Sequence, residues 1–322
     1  MEQIDILLAT YNGEKYLKEQ LDSILMQTYS NFRLLISDDC SNDSTKDILK
    51  EYEQKDNRIK VFYQEKNLGY VKNFEFLLGK VENKIYALSD QDDIWLPEKI
   101  EKAIENINYN NSDLYFSDLI LIDETGKEIS KSFWKEKGFY KKIKKDKNYK
   151  GLLLNNYITG CTIVSKKELL KYVLPIPKNT KYMIHDYWIA IVTALKGKIC
   201  YDTNCYIKYR QHGNNQVGSE MKSKKLDSLE EIRDLFIDVK IEHFKVFVEY
   251  KEQFKEKAQK QNKKALEYFE RLKKVKNINF KNWYLFFKLY KYENLKYFIA
   301  NFIILNVPIL AKKIYKTMKL YN

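Results

Sequence analysis

The chain has 322 residues, 44% of them hydrophobic, and a formal net charge of +13 from 57 Lys/Arg against 44 Asp/Glu. That composition is globular and large enough for one big domain or two ordinary ones, which excludes a disordered or fibrous chain. No stretch reaches the roughly 18 apolar residues of a spanning helix, MEQIDILLATYNG does not read as a signal peptide, and four cysteines with no CxxC pair and only three histidines argue for free thiols rather than structural zinc.

The first half alternates short aliphatic runs with amphipathic stretches. IDILLAT (4–10) reads as a strand, and KYLKEQLDSILMQ (15–27) places Leu17, Leu21, Ile24 and Leu25 on one helical face. FRLLISD (32–38) is the next strand. SNDSTKDILKEYEQ opens with capping residues and continues as a helix. IKVFYQ (59–64) and KIYALSD (84–90) are strands around the helix YVKNFEFLLGK, and Pro97 marks the start of another helix. The pattern predicts a mainly parallel α/β sheet with right-handed crossovers and helices on both faces. Further on, DLYFSDLILID (113–123) suggests strands flanking a polar turn, and 135–150 a Lys-rich loop. TGCTIVS (159–165) reads as a short strand entering a helix, DYWIAIVTALKG (186–197) as a buried helix ended by Gly197, and KICYDTNCYIKYRQH (198–212) as strand.

Residues 1–218 are predicted to form the α/β domain, and residues 219–322 a basic, helical C-terminal region. The latter carries 24 Lys/Arg against 13 Asp/Glu, which leaves the first part almost balanced. Residues 224–275 have helical periodicity, and 282–321 is aromatic and basic. Its most apolar part, 297–311, is too short to span a bilayer and suits an interfacial helix or one packed on the α/β domain. The C-terminal helices could bind an anionic membrane surface or form a homodimer. Nucleic acid is disfavoured, because no helix-turn-helix, RRM or zinc-finger pattern accompanies the charge.

In wound α/β sheets ligands lie beyond the carboxyl ends of the strands. Three polar clusters fall there: TYN (10–12), SDDCSND (37–43) and SDQDD (89–93). Asp90 and Asp92, two apart after a strand, repel one another unless a divalent cation sits between them. Such an ion keeps positions open for phosphate oxygens. There is no GxxxxGK[ST] and no GxGxxG loop, so recognition of a base falls to side chains such as Asp39, whose carboxylate can accept an imino N–H.

In order, LLATYNGEKYLKEQLDSILMQTY, LISDDCSNDST, NLGYVKNF, LSDQDDIWLPEKI, TGCTIVSKKEL, HDYWIAIVTALKGKI and YRQHGNN resemble the motifs of family 2 glycosyltransferases with the GT-A fold over residues 3–218. SDQDDIWLPEK with HDYW and YRQHGNN is most similar to the bacterial rhamnosyltransferase branch, in particular the streptococcal rhamnan-backbone enzymes. The resemblance implies an inverting transfer from a nucleoside-diphosphate sugar, most simply L-rhamnose from dTDP-β-L-rhamnose, onto a lipid-linked glycan of a cell-wall or capsular polysaccharide. A UDP-hexose or UDP-N-acetylhexosamine donor is the alternative. It implies a cytoplasmic enzyme, peripheral at the inner face of the plasma membrane, with Mn²⁺ or Mg²⁺ as cofactor. Carried over, Thr10, Tyr11, Asn12 and Glu14 line the nucleotide pocket, Asp39 reads the pyrimidine, and Asn67, Gly69 and Lys72 lie near the donor. Asp90 and Asp92 form the DxD pair, Asp92 being the more direct ligand. Asp186 matches the base, with His185 where the family has Glu. Arg210 and His212 match the motif that closes on the diphosphate, and His212 could complete the metal shell. Trp95, Asp93, His185 and Trp188 are candidates for the acceptor side; both tryptophans could equally be core aromatics, and Asp186 could be only a helix cap.

Overall fold

A computed structural model of the chain describes residues 2–146, 150–153, 156–178, 180–213 and 229–274. The chain divides into two compact units, Met1–Lys178 with Ile184–Gly213, and Asn179–Met183 with Asn214–Asn322. The expected boundary at 218/219 and the aromatic segment 282–321 lie outside the described residues.

The first unit runs β1 (Ile4–Thr10), α1 (Leu17–Leu25), β2 (Phe32–Asp38), α2 (Thr45–Lys55), β3 (Ile59–Tyr63), α3 (Tyr70–Leu78), β4 (Ile85–Ser89), β5 (Ile94–Trp95), α4 (Lys99–Asn110), β6 (Leu114–Ile122), β7 (Glu128–Ser130), α5 (Phe133–Glu136), α6 (Tyr140–Lys145), β8 (Val164–Lys166), α7 (Leu170–Val173), α8 (His185–Lys196) and β9 (Ile199–Arg210). The strands form one sheet in the order β3-β2-β1-β4-β8-β6-β9-β5, with β7 on β6. Strands β3, β2, β1 and β4 are mutually parallel, as the crossover helices between them require. The second half is mixed: β8 runs antiparallel to β4 and β6, β9 parallel to β6, and β5 antiparallel to β9.

Side chains alternate between the faces of a strand. In β1, Ile4, Ile6 and Leu8 join a core with Leu17, Leu21 and Ile24 of α1, Leu49 of α2 and Ile100 of α4. Leu7, equally buried, points the other way, so both faces are covered. In α8 every residue from His185 to Thr193 is buried, which sets a catalytic candidate on a rigid core helix.

Two local expectations change. DLYFSDLILID is one strand, because Asp118 turns its carboxylate to the backbone N–H groups of Leu119 and Trp134 and shifts the β6–β9 register there instead of breaking the strand. The Lys-rich stretch takes in the end of α5 and all of α6, and Ser132 caps α5 by accepting from the Lys135 N–H at 3.2 Å. Gly197 ends α8 as expected, in extended geometry.

In the second unit, α9 (Leu229–Glu249) and α10 (Glu256–Lys274) pack through Phe244 and Phe269, stacked with centroids 5.8 Å apart. The Glu242 carboxylate accepts the backbone N–H groups of Lys181, Tyr182 and Met183 at 2.9, 2.6 and 2.9 Å. Among the described residues no helix is long and apolar enough to cross a membrane.

Candidate functional site

Thr10 pairs in register with Asp38, and Leu8 with Ser89, so β1, β2 and β4 end together and their three polar loops share one rim. The TYNGE and SDDCSNDST loops brace each other. Asn12, at φ 47°, accepts the Asn42 N–H at 3.0 Å through Oδ1, and Glu14 accepts the Ser44 N–H at 2.9 Å through Oε2. Gly13 donates to Thr45 Oγ1 at 2.8 Å, and a β-carbon on it would sit 2.4 Å from Gln91 Oε1, so any other residue would have to push the Gln91 side chain aside. Asn12 and Glu14, expected to line a nucleotide pocket, use these side-chain oxygens to brace the two loops. Tyr11 is 42% exposed.

Asp39 is buried, and its two oxygens accept the N–H groups of Leu68 and Gly69 at 2.7 and 2.9 Å. Asn67 Nδ2 donates back to the Asp39 carbonyl at 3.3 Å. Together they fix the turn that starts α3, where Gly69 at φ 80° meets a backbone demand other residues resist. Lys72 lies one turn further on, paired with Glu75.

The β4 loop is different in kind. Burial, then the charges of Asp92 and Asp186, push the Asp90 carboxyl up to about 7. Asp93 is fully buried, accepts the Arg210 N–H at 3.1 Å, and is held well above the usual carboxylate range by burial and then by Asp92 and Asp90. Carboxylate oxygens of Asp90 and Asp93 and the Cys161 thiol gather within 4.8 Å of one another. Asp92 Oδ2 lies 2.8 Å from His212 Nε2, and His212 leans on the Tyr16 ring at 5.1 Å. The donor set, crowded carboxylates with an imidazole in reach, suits a divalent cation, whose charge would relieve the repulsion that raises Asp90.

Asp186, 7% exposed at the start of α8, is pushed up to about 7 by burial, against hydrogen bonds from the Tyr187 and Gly160 N–H groups. Its charge acts on Asp90 and helps to raise it.

Other expected residues sit elsewhere than foreseen. Arg210, 2% exposed, spends Nε on the Asp92 carbonyl at 2.9 Å and pairs Nη2 with Glu19, its guanidinium 4.6 Å from the Tyr16 ring centroid. It braces the β4 loop rather than standing open to a diphosphate. Trp188 is wholly buried, with its indole N–H on the Val173 carbonyl at 2.9 Å, and Trp95 is buried with the Lys99 ammonium over its ring. Neither indole offers a face to a sugar, and Asp93 is sealed beneath the loop; these three leave the acceptor side.

Sequence reading passed over Gln91, Glu19 and Lys99. Gln91 Oε1 accepts from Thr10 Oγ1 at 2.6 Å and from the Tyr11 N–H at 2.8 Å, while its Nε2 donates to the Tyr11 carbonyl at 3.1 Å, fastening the β4 loop to the β1 loop. Its place between two aspartates was the available signal. Lys99, buried in the first turn of α4, is held well below its ordinary range by burial, against the pull of Cys161, Asp93 and Asp90. A lysine in a helical first turn reads as solvated, and only packing shows otherwise.

The same fold occurs in solved structures. The TarS 1–349 complex with UDP-GlcNAc from S. aureus superposes with a TM-score of 0.58 over 98% of this chain and 92% of that one, at 20% identity. The mannosyltransferase PcManGT from Pyrobaculum calidifontis, in complex with GDP-Man and Mn²⁺, gives 0.54 over 98% and 87%, at 13% identity. In sequence, an uncharacterised glycosyltransferase of Methanocaldococcus jannaschii is 33% identical over 229 residues, covering 70% of this chain and 76% of its own. The dTDP-rhamnosyl transferase RfbG of Shigella flexneri is 32% identical over 228 residues, covering 67% and 75%. Residues 5–172 match glycosyl transferase family 2, and with these relatives the chain belongs to that family, as a glycosyltransferase of the GT-A fold.

Proposed function

We propose that the enzyme carries out an inverting, metal-dependent transfer, with L-rhamnose from dTDP-β-L-rhamnose as the sugar and a lipid-linked glycan of surface polysaccharide synthesis as the acceptor. The observation that carries the chemistry is the crowding of acidic groups at the β4 loop: Asp92 pairs with His212 at 2.8 Å, the charges of Asp92 and Asp186 act on Asp90, and Asp90 and Asp186 are each pushed up to about 7. A base poised near neutrality can take a hydroxyl proton and return it afterwards. Similarity to RfbG supports the donor.

In this reading Asp90, Asp92 and His212 hold Mn²⁺ or Mg²⁺, which when bound supplies charge stabilisation for the departing diphosphate. Thr10, Tyr11 and the Asn67–Gly69 turn bound the nucleotide side, with Tyr11 against the base and Asp39 holding the turn. Lys72 lies toward the donor. Asp186 removes the proton from the acceptor hydroxyl on the face opposite the leaving group. The new C–O bond forms as the C1–O bond to the diphosphate breaks, which inverts the anomeric centre. Arg210 keeps the Asp92 loop in register. The basic C-terminal region would bring the enzyme to an anionic membrane surface, where lipid-linked acceptors reside.

The test is a donor panel of dTDP-, UDP- and GDP-sugars with Mn²⁺ or Mg²⁺, read by thermal shift and then by mass and linkage analysis of product on a short synthetic acceptor. Transfer from dTDP-β-L-rhamnose giving an α-L-rhamnoside is expected. Stabilisation by UDP-sugars with dTDP silent overturns the rhamnose assignment, and turnover undiminished by EDTA overturns the metal requirement.

A further inference from the structure

The residue before the base candidate has an unusual setting. His185 opens α8 and is 5% exposed. Its ring stacks on Phe74 of α3, with centroids 4.1 Å apart and planes within 19°, and meets Tyr70 edge-on at 6.2 Å. Aromatic packing, not hydrogen bonding, therefore orients it: both ring nitrogens are buried without a hydrogen-bond partner among the described residues. A neutral imidazole carries one N–H and one acceptor nitrogen, and leaving both unmatched in an interior is costly enough to ask what completes them. Burial also holds the ring down to about 3, so it is uncharged across the physiological range.

Gly160 supplies the geometry. A β-carbon built on it would stand 3.3 Å from Asp186 Oδ2 and 3.5 Å from His185 Nε2. The carboxylate oxygen and the idle ring nitrogen thus border the same small space, which exists because position 160 has no side chain. Gly160 is not among the residues with positive φ, so its lack of a side chain answers to the space rather than to the backbone.

We propose that His185 is a second acceptor-binding catalytic residue, its Nε2–H donating to the sugar hydroxyl whose proton Asp186 accepts, with both groups meeting that hydroxyl over Gly160. A hydroxyl suits the two partners because it donates once and accepts besides. The proton passes from the acceptor oxygen to the Asp186 carboxylate, the oxygen's lone pair forms the bond to the anomeric carbon, and the diphosphate leaves with the electrons of the broken C–O bond. His185 gives up no proton; its N–H orients the nucleophile and stabilises charge gathering on the oxygen. This inference rests on Asp186 being the base.

The experiment is His185→Phe, which keeps an aromatic ring over Phe74 and removes both nitrogens. On a short synthetic glycan acceptor that the wild type glycosylates, kcat/KM for the acceptor should fall about tenfold or more, the worth of one well-placed hydrogen bond to a developing charge. KM for the donor and affinity for the free nucleotide diphosphate should stay unchanged, and Tm should not fall, since the variant removes two unmatched buried nitrogens. His185→Gln, which keeps an N–H, should recover part of the loss. Gly160→Ala approaches the same space from the opposite wall and should likewise reduce acceptor use while sparing nucleotide binding. Acceptor kcat/KM within twofold of wild type in both His185→Phe and Gly160→Ala overturns the proposal, as does an equal loss of donor affinity. Wild-type enzyme that transfers no sugar, or an Asp186→Asn variant that turns over normally, defeats the underlying reading instead.

Discussion

The loops after β2 and β4 both follow buried strands and are rich in aspartate, yet they do opposite work. After β2, Asp38 accepts from the Ser41 N–H and hydroxyl, and Asp39 from the N–H groups of Leu68 and Gly69. After β4, Asp90 faces Asp92 and Asp186, and Asp93 is packed against further carboxylates and a thiol. A buried carboxylate surrounded by amide donors is a building element, because its charge is already solvated by the fold. One surrounded by other carboxylates is incomplete, and it lowers its energy by taking a proton or a cation. The first loop is built into the fold by its carboxylates, and in the proposed reading the second supplies reactive charge.

The sharpest way to break this contrast is Asp186→Asn. It should lower kcat by about 10²–10⁴-fold, the usual worth of a general base, while isothermal titration shows nucleotide-sugar binding intact. Near-wild-type turnover would remove Asp186 as the base.

Next in size, Asp92→Ala should weaken Mn²⁺ by at least about 100-fold, read by titration in the presence of nucleotide, whereas Asp39→Asn should leave Mn²⁺ affinity alone. Equal losses in the two variants would abolish the distinction between the loops.

The third prediction concerns pH. If Asp186 is the proposed base it must be ionised to act, and with its folded carboxyl raised to about 7, kcat/KM should fall about tenfold for each pH unit on the acid side of that value. Apparent Mn²⁺ affinity should fall over the same range as Asp90 takes up a proton. The stability effect has the opposite sense. A carboxyl raised from 3.8 to about 7 makes the folded state bind more protons than the unfolded state, so its contribution is greatest at low pH and is lost as pH rises through 7. At pH 8 Asp186→Asn should therefore melt no lower than wild type. A lower Tm there would contradict the burial argument.

The smallest effect belongs to the other loop. Asp39→Asn keeps one acceptor for two N–H groups and should cost about 1–3 kcal/mol in denaturant unfolding. The pH profile of activity should keep its shape, and a moved acid limb would show that Asp39 takes part in the chemistry.

The sequence by itself determined the strand and helix order through β4, because short aliphatic runs followed by amphipathic stretches leave few alternatives. It also placed Asp39, Asp90, Asp92 and Asp186 at strand ends and a helix start, since chain-local polar punctuation of apolar runs marks the rim. Tertiary structure alone decided the mixed second half of the sheet, where β8, β6 and β9 pair across long separations. It decided that Arg210 braces a loop and that Trp95 and Trp188 are core, because exposure depends on which elements pack together rather than on residue type. It also set His185 beside Asp186 over a bare glycine. Residues 160 and 185 are far apart in the chain, and no local pattern records that one leaves room for what the other needs.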